Sequence, residues 1–311
     1  MIMNEKRDFL IIPDLTAREL RSVLDLAKTM KADPKRYAKA LEGKELVMLF
    51  QKTSTRTRLS FEAGMHQLGG NAIFLDWTRT NLTLGSLEDE SKSIARYVDA
   101  IMARVYKHED LEAMAKASRV PVINGLSDTA HPCQALGDML TIEEYCPSPL
   151  DIKVAFIGDG TDNVCMSLIE ICVMLGVRLT VIAPPEYTVP ETMLAWLETT
   201  DLDHLVTVTP DIETGIYGVD VIYTDTFVSM GQEDQAEQKI TLLKPYQLNQ
   251  AIVNLSGKNP YIMHCLPAHR NIEITSDVLD STRSIVFDQA ENRMHAQKAL
   301  LVFLLNPGFE P

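Results

Sequence analysis

The residues best suited to chemistry in this 311-residue chain gather in short polar strings, each placed after an apolar run. Ser54, Thr55, Arg56 and Thr57, followed by Arg58, bring hydroxyls, backbone N–H groups and guanidinium groups to the start of a helical pattern. Those groups hold a phosphate at the positive end of a helix. The string is not a P-loop, since it lacks the flanking glycines and the Gly-Lys-Ser/Thr ending. A plain helix cap with exposed charge is the other reading. Arg104 closes a later apolar run, and His131 stands before Pro132, Cys133 and Gln134. His131 either offers a proton-bearing nitrogen to a developing oxyanion or makes a structural hydrogen bond at a helix start.

The second half carries its own candidates. Gly158 and Gly160 suggest the dinucleotide fingerprint, but Asn163 stands where its third glycine belongs. The next strand ends in Ala183, Pro184 and Pro185, without the acid that holds a ribose, which argues against a nicotinamide enzyme. Asn163 is then a ligand group or an N-cap. His264, Cys265 and His269 raise the question of a metal or a thiol nucleophile. With no further cysteine or carboxylate nearby in sequence, zinc is not expected. A cysteine closing an apolar strand is expected to be buried and inert.

These groups need elements to position them. Thr16 with Glu19 has the spacing of a capping box ahead of a helix over ARELRSVLDLAKTMK. Strands are predicted at Glu45–Phe50, Asn71–Leu75, Ala100–Val105 and Pro121–Asn124, separated by helices that include Ser91–Val98, Leu111–Ala117 and the run from His131 to Tyr145. After Pro147, Ser148 and Pro149 a second alternating set begins: KVAFIGDG, a helix over about Asn163–Leu175, RLTVIAP, a helix over about Glu191–Glu198, LVTVTP, DVIYTD and YIMHCLP. A last helix runs from Asn292 to Leu305, apolar enough to pack back on the body. The fold class expected is α/β: two doubly wound parallel-sheet domains, with the active site in the cleft between them.

Composition narrows the partners. Hydrophobic residues make up 46% and charged residues 23%, as in a globular protein, and the net charge of −14 opposes binding to nucleic acid or an anionic membrane. The densest basic stretch, Lys31–Lys39, reads as a solvated helix end. Five cysteines form no CxxC pair, which fits a reducing compartment. The apolar run from Phe9 to Ile12 is too short for a signal peptide, and no window approaches the ~20 apolar residues of a membrane span. A cytoplasmic protein is expected.

Taken together, the strings resemble the aspartate/ornithine carbamoyltransferase family from about Arg7 to about Leu305. The carbamoyl phosphate side is STRTRLSFEAGMHQLGG, then Met102, Ala103 and Arg104, then His131, Pro132, Cys133 and Gln134. The amine side is ornithine-like: DTFVSMGQE from Asp225, HCLPAHR from His264 and DQAENRMHAQ from Asp288. Aspartate enzymes carry HPLPR in the second of these places and lack the SMG loop.

What the resemblance implies is transfer of the carbamoyl group from carbamoyl phosphate to the δ-amino group of L-ornithine, giving citrulline and phosphate, with no metal and no cofactor. Ser54, Thr55, Arg56 and Thr57 would hold the phosphate. Arg104 and His131, with Thr57, would stabilise the carbonyl oxygen. Gln134 and the backbone carbonyls of Cys265 and Leu266 would accept from the carbamoyl nitrogen, and Arg293 would reach the phosphate and carbonyl oxygen. For ornithine, Asn163 would pair with the α-carboxylate, and Asp225, with the backbone of Ser229 and Met230, would hold the α-amino group. Residues 1–147, joined by a C-terminal helix over 289–311, would bind carbamoyl phosphate; residues 148–288 would bind ornithine. The resemblance also implies a homotrimer or a higher assembly of trimers.

Two departures stand out. Many ornithine enzymes place a glutamine in the loop before Ile94 for the neighbouring subunit; here Thr83 is the best match. Asn271 stands where glycine is usual. Two other readings are a carbamoyltransferase for another amine, such as putrescine, and a silent paralogue. Asn163, Asp225 and the SMG loop argue for an amino acid over putrescine. A silent relative would have lost Arg56, His131 or Gln134.

Overall fold

The computed structural model describes residues 6–146, 152–228, 234 and 236–309. Its contacts divide the chain into two units, Met1–Leu140 with Glu291–Pro311, and Thr141–Ala290. The junction expected at residues 147 and 148 lies outside the described residues.

The first unit begins with α1 (Ala17–Ala32), followed by β1 (Glu45–Phe50), α2 (Thr55–Gln67), β2 (Asn71–Asp76), α3 (Leu87–Ile94), β3 (Ala100–Arg104), α4 (His108–Ala117), β4 (Val122–Leu126) and the start of α5 (Pro132–Tyr145). The capping box expected for α1 is formed: Thr16 Oγ1 accepts from the Glu19 N–H, and Glu19 Oε2 accepts from the Thr16 N–H at 2.9 Å. A hydrogen bond from the Arg7 guanidinium pulls the Glu19 carboxyl down to about 2, so the cap keeps its charge.

All four strands of this unit are parallel, in the order β2-β1-β3-β4. Their apolar residues alternate between the two faces, and Val47, Leu49, Ile101, Ala103 and Val122 share one core cluster with Leu111 and Met114 of α4. Each such side chain contributes roughly 1.5–3 kcal/mol on burial.

The second unit contains β5 (Lys153–Ile157), α6 (Asn163–Leu175), β6 (Arg178–Ile182), α7 (Glu191–Glu198), β7 (Val206–Thr209), α8 (Ile212–Ile216), β8 (Val221–Thr224), α9 (Ala236–Leu243), α10 (Gln250–Leu255), β9 (Tyr261–His264), α11 (Ser276–Leu279) and the first turn of α12 (Val286–Leu305). Its sheet is parallel, in the order β7-β6-β5-β8-β9. The rest of α12 belongs to the first unit, where Lys31 Nζ donates to Asn292 Oδ1 at 2.7 Å and Lys298 Nζ to Gln67 Oε1 at 2.9 Å.

Each sheet has one place where the order of its strands reverses direction, between β1 and β3 in the first unit and between β5 and β8 in the second. Loops at the carboxyl ends of strands diverge there, which opens room for a ligand.

Several boundaries move from the expected ones. The helix expected over Ser91–Val98 spans Leu87–Ile94 instead, because Ser86 caps it through Asp89 N–H and three acids, Glu88, Asp89 and Glu90, fill the positive first turn. The last helix starts six residues before Asn292, at Val286.

A buried ion pair fastens α9 to the turn after β5: Lys239 Nζ lies 2.5 Å from Asp159 Oδ2, both side chains 3% exposed. Lys239→Met leaves that carboxylate buried without its cation and is expected to cost about 3–5 kcal/mol in denaturant unfolding. Adding Asp159→Leu should recover part of the loss.

Candidate active site

Of the two readings of the Ser54 string, the structure shows the cap directly. Ser54 is the N-cap of α2, its Oγ accepting from the Thr57 N–H at 3.3 Å and donating to Thr57 Oγ1 at 2.9 Å. Capping therefore leaves the string at the positive helix end, just past β1. Thr55 is exposed, Ser54 and Arg56 are half-buried, and Thr57 is buried.

Around that helix end the first unit assembles a group drawn from distant parts of the chain. Arg104 is the last residue of β3 and is buried. His131 precedes Pro132, whose missing N–H costs nothing at the first helical position, and the His131 carbonyl accepts from the Gln134 N–H at 3.0 Å to start α5. Arg293 comes from α12. Its Nη1 donates to Gln134 Oε1 at 3.1 Å and its Nη2 donates to Thr57 Oγ1. Gln134 in turn donates from Nε2 to Asp138 Oδ1 at 2.8 Å, so the amide is held with its oxygen toward Arg293. Asp138 is a group that sequence reasoning missed, although its i,i+4 spacing from Gln134 on a helix was a readable signal.

The chain must pass close for this to happen. A Cβ on Gly137 would lie 2.9 Å from Arg293 Cα and 3.1 Å from its backbone nitrogen, so only glycine lets α5 and α12 approach there.

Electrostatics follow from the crowding. Burial, and then the charges of Arg293, Arg104 and Arg56, hold the His131 imidazole well below its ordinary value. His131 is thus a neutral ring at pH 7, able to donate one N–H without adding a fourth cation. Burial also pushes the neighbouring Cys133 thiol up to about 12, which removes it as a nucleophile.

The second unit holds a different set. Asn163 is the first residue of α6 and half-buried; the N-cap is Asp162, whose carboxylate accepts from the Val164 N–H at 2.8 Å. Asn163 is therefore not the cap. Asp225 follows β8 and is buried. Burial and the nearby Asp162 charge raise its carboxyl well above the usual range, against the hydrogen bond it accepts from Cys265. Ser229 and Met230 lie outside the described residues.

Cys265 is half-buried rather than enclosed, its Sγ donating to Asp225 Oδ1 at 2.9 Å. The fold thus supplies the nearby carboxylate that the local sequence lacked. Asp225, His264 and Cys265 bring one ligand-type atom each within 4.8 Å of one another. The His264 Nδ1 lone pair is already taken by the Leu266 N–H at 2.9 Å.

Gly160, read as part of a possible nucleotide loop, has a packing reason instead: a Cβ there would meet the Tyr187 carbonyl at 2.7 Å. Thr83 sits exposed on a 3-10 turn beside the exposed Leu84. Asn271 has φ +66°, the left-handed region that glycine favours and asparagine tolerates.

Known proteins match the two halves of the chain separately. Residues 7–144 match the carbamoyl-P binding domain of the aspartate/ornithine carbamoyltransferases, and residues 150–304 match their Asp/Orn binding domain. The chain belongs to the aspartate/ornithine carbamoyltransferase family. Within that family it is 45% identical to the ornithine carbamoyltransferase of Pyrococcus horikoshii over 96% of each chain, and 46% identical to that of Haloquadratum walsbyi over 98% and 99%. Among solved structures, ornithine carbamoyltransferase from Pyrococcus furiosus superimposes with a TM-score of 0.91 at 44% identity, covering 98% of both chains.

Gly137→Ala tests the close approach in the first unit. The added methyl meets backbone atoms that cannot swing aside, so a loss of about 1–3 kcal/mol is expected, read as a lowered midpoint in thermal or denaturant unfolding.

Proposed function

We propose that this chain is an ornithine carbamoyltransferase, forming citrulline and phosphate from L-ornithine and carbamoyl phosphate. The observation that carries the reading is the buried group in the first unit, where Arg293 binds Gln134 and Thr57 while Arg56, Arg104 and Arg293 crowd a neutral His131. It is supported by identity of about 45% to enzymes of that name over nearly the whole chain.

The chemistry asks for these groups. The δ-amino nitrogen attacks the carbonyl carbon, a C–N bond forms, and negative charge grows on the carbonyl oxygen. The C–O bond to phosphorus then breaks, phosphate leaves with the electron pair, and the amine gives up a proton. Arg104, the neutral His131 N–H and Thr57 stabilise the oxyanion; one such donor is typically worth about 10²–10³ in rate. Ser54, Thr55, Arg56, Thr57 and Arg293 hold the departing phosphate, and Gln134 accepts from the carbamoyl nitrogen together with the carbonyls of Cys265 and Leu266.

On the amine side Asn163 takes the α-carboxylate and Asp225 the α-ammonium group, with backbone from Ser229 and Met230. An amine without α substituents, such as putrescine, would leave Asp225 and Asn163 without their ligands.

Self-association is part of the same reading. Leu59, Ile73, Leu84 and Tyr97 of the first unit are 45–81% exposed, large apolar side chains of the sort a subunit interface covers, in keeping with a homotrimer. All five cysteines are free thiols, in keeping with the cytoplasm. Among the described residues no helix is long and apolar enough to cross a membrane.

The deciding experiment offers purified protein carbamoyl phosphate with ornithine, putrescine, aspartate or lysine at equal concentration and measures the carbamoylated product. Citrulline is expected in large excess; strong preference for another amine overturns the substrate assignment.

A pH profile tests the chemistry. A free alkyl amine titrates near about 10.4 and must be neutral to attack. The rate at subsaturating ornithine should therefore rise with pH between about 6 and 9. Because the His131 proton is already off well below 6.5, His131 adds no inflection in that range. A flat profile would refute the neutral-amine step.

A further inference from the structure

His264 and Glu273 are fully buried, and neither is needed to make the core apolar. Their hydrogen bonds show what they do. His264 ends β9, and its backbone N–H donates to the buried Gln289 Oε1 at 2.9 Å. Its Nδ1 accepts from the Leu266 N–H at 2.9 Å. A backbone amide only donates, so Nδ1 carries the lone pair and the ring proton sits on Nε2. That N–H faces Glu273 Oε1 at 3.2 Å.

The same carboxylate oxygen also accepts from the His269 N–H. One buried oxygen thus fastens both ends of the segment from His264 to His269. Within that segment Leu266 has φ +59°, a left-handed conformation that disfavours a residue with a side chain. The bond from its N–H to His264 Nδ1 holds it there.

What the segment presents depends on this fastening. Cys265 Sγ donates to Asp225 Oδ1 at 2.9 Å, and His269 Nδ1 lies 3.0 Å from Thr226 Oγ1, one residue past Asp225. The Cys265 carbonyl shares its peptide with the Leu266 N–H, and the Leu266 carbonyl lies between the two fastened amides.

We infer that His264 and Glu273 are a positioning pair: through the Leu266 and His269 amides they fix the carbonyls and thiol of the Cys265–Leu266 turn. Both side chains are sealed from solvent, so they act through the turn and do not touch substrate. The effect on catalysis rests on the ornithine carbamoyltransferase reading; the effect on the turn does not.

The test uses paired variants. In His264→Asn the side-chain oxygen can accept from Leu266 N–H, as Nδ1 does, whereas His264→Leu can accept nothing. Glu273→Gln keeps an acceptor for both donors, and Glu273→Leu keeps none. Displacing a reacting group by ~1 Å can cost about 10²-fold in rate. The leucine variants are therefore expected to lose about 10²-fold in kcat/KM for carbamoyl phosphate. The Asn and Gln variants should stay within about tenfold of the parent, with the unchanged circular dichroism spectrum of a folded chain. Equal loss in the conservative and leucine variants at either position overturns the proposal, as does parental activity in folded leucine variants. If His264→Leu does not fold, the Glu273 pair decides alone.

A second readout does not need the reaction. The rate at which iodoacetamide alkylates Cys265, followed by mass spectrometry of its peptide, reports the turn directly. It should change about tenfold in the leucine variants and remain near parental in the Asn and Gln variants. Equal rates in all of them overturn the pair's role even if citrulline is made. A shifted rate in a protein that makes no citrulline would uphold the pair and overturn the substrate reading instead.

Discussion

Like charges repel most where water is scarce, and the first unit nevertheless gathers three guanidinium groups close enough to add to the burial that holds the proton off His131. Much else in that unit follows from managing this arrangement. Arg293 is shared between Gln134 and Thr57, Gln134 is braced by Asp138, and Gly137 gives up its side chain so that α12 can come near. Guanidinium groups packed this closely are costly by themselves, and an anion among them would offset the repulsion. The cluster therefore favours an anion over water, and it does so inside a chain whose net charge is −14.

Topology explains why the groups meet. In a parallel sheet every carboxyl end lies on one edge, so Arg56 after β1 and Arg104 at the end of β3 flank the point where the strand order reverses. In the second unit the reversal falls between β5 and β8, and the segments that follow them carry Asn163 and Asp225. Doubly wound sheets do not by themselves specify chemistry. They fix where side chains from distant segments converge, and the residue types at those strand ends do the rest.

This accounts for what could be read from the sequence. The strings after the strands were legible because strand and loop are contiguous, and the capping box of Thr16 and Glu19 because it is local. Short elements were not: α8, α10 and α11 span six residues or fewer, too few turns for helical periodicity to appear. Start signals were sometimes outweighed by apolar runs, as when Tyr97 and Val98 drew the expected α3 toward the strand that follows it. The partners that hold the site were hidden for a different reason. Arg293 is 159 positions from Gln134, and Cys265 is 40 from Asp225, so nothing local to either marks the pair.

Each unit also has an electrostatic character of its own. In the first, burial and then the surrounding cations lower the His131 pKa; in the second, burial and then Asp162 raise that of Asp225. A cation arriving beside Asp225 draws that carboxyl back toward its ionised form, and the Asp162 charge favours a cation there over a neutral group. Carbamoyl phosphate is an anion, and ornithine presents an α-ammonium group beside its carboxylate. The first environment suits an anion and the second a cation.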